Sequence, residues 1–435
     1  MNIIRSIICL VYLIIGLILL KFYLTWNISL IIGLIMIPFV CRVEKGVLST
    51  RFIIPALVFA VLAIFISAKS TVFFALLFTS LLLFESFKGK ISLTFFFVIV
   101  LISPLFKFFS DTLSFPLRLW LSDIVAKTIA LGGSYSESAG NIIKIDGYDF
   151  YIDQACAGLN MLNISLLIAI FILSFYQKKL NASLSFFGIV SVMTGTFLLN
   201  LISNYFRILL IVLFKIMPGT AMHDLVGIFS LFVYVILPLT LLTEPVIKKF
   251  GKVQIPENKE RQYRGFKPEF KIPAVHLLLF ISIMYSAITY KTRLYSYPNE
   301  KSLTLEGFQK TILDSKVLKF ENSKALIYMK PSVFYSPEHN PMICWTGSGY
   351  EFKFIKKEFC KGKEIYTGTL VKGTDKLYAS WWFDNGKIKT IDQINWRWNS
   401  AKGSNFYLIN VTAAKKSDLK RITEELLPSP FAGNL

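Results

Sequence analysis

The stretch DQACAGLNMLNISLLIAIFILSFY, Asp153 to Tyr176, places a cysteine, Cys156, at the head of an apolar run long enough to cross a bilayer. Eight further runs surround it, at about residues 7–20, 23–41, 52–68, 72–86, 91–109, 184–206, 224–247 and 273–290. A chain of 435 residues that is 54% hydrophobic, with 40 Phe, cannot hide so much apolar surface in a soluble domain. Most of the first two-thirds is therefore expected in a membrane. Lys21, Phe22 and Tyr23 follow the first run where a small-residue cleavage site would stand, so a retained helix is expected there.

The net charge of +20 does not point to nucleic acid, because Lys and Arg gather in short segments between apolar runs. Arg42, Lys45 and Arg51 mark one such loop, Lys88 and Lys90 a second, and Lys178 and Lys179 a third. The stretch Lys248 to Lys271 is the strongest, with eight Lys or Arg against three Glu. Nine spans alternating from a cytoplasmic N-terminus put all four loops inside. The same parity puts Cys156, His223 and everything after about Tyr290 outside. Residues 113–131, apolar but charged at Arg118, Asp123 and Lys127, read as an amphipathic helix on the outer face. Residues 184–214 are too long for one straight span, so a tilted helix or a break near Asn204 is expected.

The last third alternates instead. Ala325–Lys330, Tyr350–Phe359, Glu364–Val371, Lys376–Phe383 and Asn405–Val411 read as strands, Asp384-Asn385-Gly386 as a hairpin turn, and Ser417–Leu427 as a helix capped by Ser417. The expected architecture is a polytopic α-helical membrane protein of about nine spans, N-in and C-out, followed by a small α+β extracytoplasmic domain. Its parts are N-terminal membrane helices at 1–110, a membrane core at 111–247, a basic cytoplasmic loop at 248–272, a last span at 273–290 and the outer domain at 291–435.

Three polar residues share the outer end of the membrane core. Cys156 opens its helix behind Asp153, a capping residue, and the positive helix end lowers a thiol pKa, although Asp153 opposes the shift. Ala157 and Gly158 are small enough to let a peptide backbone approach the sulfur. Arg207 stands near hydrocarbon at a cost of roughly 2.5–3.5 kcal/mol, which marks function or a specific partner. Asn200 and Asn204 lie on one helical face at i and i+4 and lead toward it. His223 begins the next span from outside, and Asp224 beside it is placed to orient the imidazole. Snorkelling for the arginine, a surface loop for the histidine and plain burial for the cysteine are the bland readings of each residue alone. Together they supply a nucleophile, a base and a fixed cation for acyl chemistry. His276, at the cytoplasmic start of the last span, stands on the wrong side for this site. No Cys-x-x-Cys pair is present, and nothing in the sequence calls for a metal or cofactor.

Cys156-Ala157-Gly158-Leu159, Asn204-Tyr205-Phe206-Arg207, and His223 with Gly227 resemble the three signature blocks of the exosortase/archaeosortase family. The resemblance covers roughly residues 70–247, and the exosortase N type is the nearest guess. It implies a multi-span enzyme of the bacterial inner membrane with Cys156, Arg207 and His223 as catalytic trio. Its substrates would be exported proteins ending in a short motif, a transmembrane helix and a basic tail, cut and transferred to a surface anchor. A membrane lipid or glycolipid would be the acceptor. In the outer region, His339-Asn-Pro-Met-Ile-Cys344, Gly347-Ser-Gly-Tyr350 and Trp381 to Gly386 resemble the exosortase-associated domain, with Tyr350 where Trp is expected. Cys344 and Cys360 suit a disulfide in an oxidising compartment, while His339 with Cys344 would suit a second thiol site. The competing reading, a transporter or polysaccharide-assembly permease with a periplasmic partner domain, would need polar residues through several spans. The spans within residues 7–109 are nearly free of such residues.

Overall fold

The computed structural model describes residues 10–12, 14–16, 18, 20, 23, 26–44, 47–66, 68–152, 159–217, 220–253, 262–264, 271–292, 304–313, 317–332, 334, 350–402 and 404–428. Two compact units divide the chain. The first comprises Met1–Asp111, Gly158–Arg207 and Pro218–Leu294; the second comprises Thr112–Ala157, Ile208–Met217 and Tyr295–Leu435.

The first unit is helical, with α1 (Ile28–Val40), α2 (Ile53–Phe65), α3 (Lys69–Glu85) and α4 (Leu93–Ile102) in its N-terminal part. α5 (Pro104–Leu131) starts in this unit and ends in the other. α2 buries Ala56, Ala60 and Ala63 along one stripe, a small-residue spacing that lets helix backbones approach in lipid. Phe52, Phe59, Phe74, Phe78 and Phe96 fill the space beside it with ring centroids 5.3–6.3 Å apart. Arg51, which the sequence offered only as a cytoplasmic marker, grips the fully buried Glu85 with two hydrogen bonds of 3.1 and 2.7 Å.

The functional half is α6 (Leu159–Lys179), α7 (Phe186–Leu213), α8 (Ala221–Leu231) and α9 (Leu237–Phe250). The apolar window of α6 is 61% buried, against 22% for α7 and for the α8–α9 rod, so α6 is the central helix and the others present faces to lipid. α8 and α9 are joined through a π-turn, Phe232–Ile236, making one rod from Ala221 to Phe250. Pro238, which has no N–H to return to the preceding turn, accounts for the irregular bonding there. α10 (Lys271–Thr292) completes the unit and packs on α2 and α3.

Among the described residues three helices are long and apolar enough to cross a membrane: Met161–Lys179, Phe186–Leu213 and Ala221–Phe250. A fourth is added if the pair Leu93–Ile102 and Pro104–Ser110 is one span bent by 63°. About nine spans were expected, several of them from apolar runs shorter than a full crossing. Ile28–Val40, Ile53–Phe65 and Ala274–Ser286 are shorter apolar helices. The run at 91–109 is divided because Pro104 forces Ser103 into an extended conformation, φ −71° and ψ 147°. The expected separate amphipathic helix at 113–131 is instead the continuation of α5, which runs through Pro116 to Leu131. The expected break near Asn204 is absent: α7 is one helix of 28 residues.

Short strands β1 (Val43–Glu44), β2 (Val47–Ser49), β3 (Lys90–Ile91), β7 (Ala182–Ser183), β8 (Lys252–Val253) and β9 (Gln262–Arg264) belong to the first unit. In the second unit, β4 (Ser136–Ala139), β5 (Ile142–Ile145) and β6 (Tyr148–Tyr151) form an antiparallel meander. The C-terminal sheet contains β10 (Gln309–Ile312), β11 (Leu318–Glu321), β12 (Ala325–Ser332), β13 (Glu351–Cys360), β14 (Lys363–Lys372), β15 (Asp375–Asp384), β16 (Lys389–Thr390) and β17 (Phe406–Ala413). Its order is β10-β11-β12-β17-β15-β14-β13, with β16 beside β15, and every pairing is antiparallel. All eight residues of β17 are buried, as befits a central strand covered on both faces. α11 (Gln393–Ala401), capped by Asp392, stacks Trp396 on Phe383 at 4.4 Å. α12 (Lys416–Leu426) buries Leu419, Ile422, Thr423 and Leu426, one helical stripe. It begins at Lys416 with no side-chain cap, so Ser417 sits inside the helix rather than capping it. The Asp384-Asn385-Gly386 turn is held by Asp384, which accepts from Gly386 N at 2.7 Å and from Trp382 Nε1 at 3.1 Å.

Candidate active site

α7 carries a buried polar stripe. Thr196, Asn200, Ser203, Asn204 and Arg207 are each at most 3% exposed, although the helix as a whole is among the least buried. Their i, i+3 and i+4 spacing gathers them on one face, away from lipid. Asn204 Nδ2 donates to Asn200 Oδ1 at 3.3 Å, and Asn200 Nδ2 donates to Ser165 Oγ of α6 at 3.0 Å. Ser165 in turn donates to the Met161 carbonyl at 2.6 Å. Asn204, Asn200, Ser165 and the Met161 carbonyl thus form a hydrogen-bonded seam between α6 and α7, and Arg207 follows on the same face of α7.

Arg207 Nη1 lies 3.6 Å from Met161 Sδ on α6. It also meets α8 at Gly227: a Cβ there would lie 3.0 Å from Arg207 Cζ and 3.1 Å from Nε. The absence of a side chain at 227 is what admits the guanidinium. His223 is one turn earlier on α8, and His223, Gly227 and Ser230 are its buried positions. His223 and Gly227 therefore lie on one helix face, about 6 Å apart along it, and the guanidinium meets that face at Gly227. Thr220 caps α8 by accepting from His223 N at 3.3 Å, which fixes the backbone that bears the imidazole. His223 Nδ1 stands 3.4 Å from Asp224 Oδ1, and Asp224 is itself largely exposed. Behind the site Phe206 stacks on Tyr234 of the π-turn at 4.6 Å and 2°.

Asn200, Asn204, Arg207, His223 and Asp224 are thus all described, and the first four are each buried. Asp153, Cys156 and Gly158 lie outside the described residues, as do His339 and Cys344. Cys360, at the end of β13, carries a free thiol. Its position beside the tight β13–β14 turn, opposite Lys363, makes it part of a hairpin tip. His276 is buried in α10 against Tyr12. Sequence reasoning missed Met161, Ser165 and Thr220. Thr220 had a readable signal, a threonine three residues before the histidine that opens an apolar run. Ser165 and Met161 lie at i and i+4 within an apolar helix and gave none.

A family model described as transmembrane exosortase (Exosortase_EpsH) matches residues 4–240, more than half of the chain, and spans Cys156, Arg207, His223 and Gly227. No curated protein and no solved structure matches the chain. With α6, α7 and α8 each inside that match, the chain is a membrane protein and belongs to the transmembrane exosortase family.

Proposed function

We propose that this chain is a membrane cysteine transpeptidase or protease that cuts C-terminal sorting signals from exported proteins and hands them to a surface anchor. The observation that carries the reading is the burial of Arg207 against Gly227, on the face of α8 that bears His223. A fixed cation in a water-poor site beside a titratable base suits the stabilisation of charge that develops on a carbonyl oxygen. Met161, which touches the guanidinium, is five residues beyond Cys156. That is a reach of at most about 17 Å of extended chain.

In the reaction, His223 takes the proton of Cys156 and the sulfur attacks the scissile carbonyl carbon. Arg207 holds the resulting oxyanion. Collapse of the tetrahedral adduct breaks the C–N bond, and the protonated His223 returns its proton to the departing amine. That amine carries away the transmembrane helix and basic tail of the substrate. The thioester left on Cys156 passes its acyl group to an amine of a lipid or glycolipid acceptor, or to water. Asn200 and Asn204 keep Arg207 in place, and Asp224 orients the imidazole.

The topology that suits this chemistry is nine spans in the bacterial inner membrane, N-terminus inside, with residues 111–247 as catalytic core. The loop at 248–272 lies inside, residues 273–290 are the last span, and residues 291–435 form an exosortase-associated domain outside. The basic loops support that orientation. Cys156→Ala tests the proposal. The variant is expected to insert normally and to leave sorting-signal proteins at full length, read by mass spectrometry of their C-termini. Trimming at the wild-type rate would remove Cys156 as nucleophile.

A further inference from the structure

The C-terminal sheet is tied to the β4–β6 meander, whose last strand ends at Tyr151, ahead of Cys156 in the chain. β13 is an edge strand of that sheet, and its ladder with β14 slips between Lys353 and Lys356. Phe354, within the slip, has φ 52°, a left-handed conformation that a phenylalanine adopts only under constraint. The bulge frees the backbone of Ile355 from the β14 ladder. A turn from a distant part of the sequence meets it there. Asn141 Oδ1 accepts from Ile355 N at 3.4 Å. Gly140, φ 71°, lies so close to Ile355 that a Cβ on it would overlap the Ile355 carbonyl oxygen. Both the φ and the approach require glycine.

Asn141 is fully buried, and its own backbone carbonyl accepts from Ile152 N at 2.8 Å. Ile152 is four residues before Cys156 and 1% exposed. One asparagine therefore bonds the outer sheet through its side chain and the segment leading to the cysteine through its backbone. The meander around it is stiff: Ile142, Ile143, Ile145 and Phe150 are buried, and Asp146-Gly147, φ 47° and 81°, closes its second turn.

We propose that the Gly140-Asn141 turn is a positioning device through which the C-terminal domain holds the nucleophile segment. The domain is then a working part of the enzyme, without which the thiol is not presented correctly. Asn141 is a positioning residue, acting on Cys156 through Ile152. The inference rests on Cys156 as nucleophile, so its test reads the thiol directly as well as the activity.

The experiment uses the full chain in detergent with iodoacetamide as probe, following alkylation of each cysteine by peptide mass spectrometry from pH 6 to 10. Asn141→Ala is expected to shift the pH profile of Cys156 alkylation and to lower sorting-signal processing roughly tenfold. Cys360, on β13 itself, serves as internal control and keeps its wild-type profile. An unchanged Cys156 profile in the folded variant overturns the proposal. Should the variant not fold, hydrogen exchange in the wild-type chain decides. Slow, matched exchange of the Ile152 and Ile355 amides supports the tie, and fast exchange of either overturns it. Failure of the nucleophile reading would look different: Cys156→Ala would process substrate normally while Asn141→Ala still shifted the thiol.

Discussion

Replacing Gly227 with alanine adds one methyl group where the site has no room for it. The new Cβ would lie 3.0 Å from Arg207 Cζ, 3.0 Å from Met161 Cε and 3.1 Å from Arg207 Nε. Carbon contacts settle at about 3.5–4.0 Å, so the guanidinium must retreat by about 0.5–1 Å. Met161 Cε is the end of a flexible side chain and yields at little cost. Arg207 is 3% exposed and already packed against Met161, so its guanidinium has little free space to retreat into. A misplacement of about 1 Å costs on the order of a hundredfold in rate, so Gly227→Ala is expected to slow processing by about 10- to 100-fold. Stability should move the other way, because alanine is favoured over glycine inside a helix by up to about 1 kcal/mol. The assay pairs the rate of C-terminal trimming with thermal unfolding in detergent. Gly195→Ala is the control: it lies on α7 with nothing within 4 Å of its would-be Cβ. Processing in Gly227→Ala at the Gly195→Ala rate, with both proteins folded, would refute the claim that glycine is there to admit the arginine.

Other perturbations follow from the same geometry. Asn200→Ala removes the link to Ser165 and the acceptor of Asn204, and is expected to cost about 0.6–2 kcal/mol of stability; unchanged unfolding in sodium dodecyl sulfate would contradict the seam. Glu85→Ala strips the buried partner of Arg51 and should cost about 3–5 kcal/mol, while Arg51→Met in the same chain recovers most of it, as read by thermal unfolding. Burial, with Glu424 adding to it, pushes the Cys360 thiol above its ordinary range. At pH 7 Cys360 should therefore alkylate more slowly than an ordinary thiol and catch up only as pH rises past that range; labelling at the rate of a free thiol at pH 7 would contradict its burial.

Much of the membrane half was legible because lipid imposes a simple rule, and Arg207 broke it conspicuously. Asn200 and Asn204 could be placed on the arginine's face from spacing alone. Span lengths were not legible in the same way. Apolarity reports where lipid or core can be met, while Ser103-Pro104 cut one run and Pro116 failed to cut another. The five strands read from alternation each correspond to an observed strand, β12, β13, β14, β15 and β17. β10 and β11 were missed, having four residues each and little room for a pattern. The β4–β6 meander was missed too, although Asp146-Gly147 between Ile142–Ile145 and Tyr148–Tyr151 is a hairpin signal. The seam from Asn200 to Ser165 and the tie from Asn141 to Ile355 join residues 35 and 214 positions apart. Only folding could bring such pairs together, and no local pattern announces them.

The proposed function requires Cys156 to act as nucleophile with His223 as its base. The direct measurement is cross-linking of Cys156 to the thiol of His223→Cys with a short bifunctional thiol reagent, with the other cysteines replaced by serine. The account predicts a cross-linked peptide pair, and loss of it when Cys156 is also replaced. Single labelling of both thiols with no cross-link would contradict it.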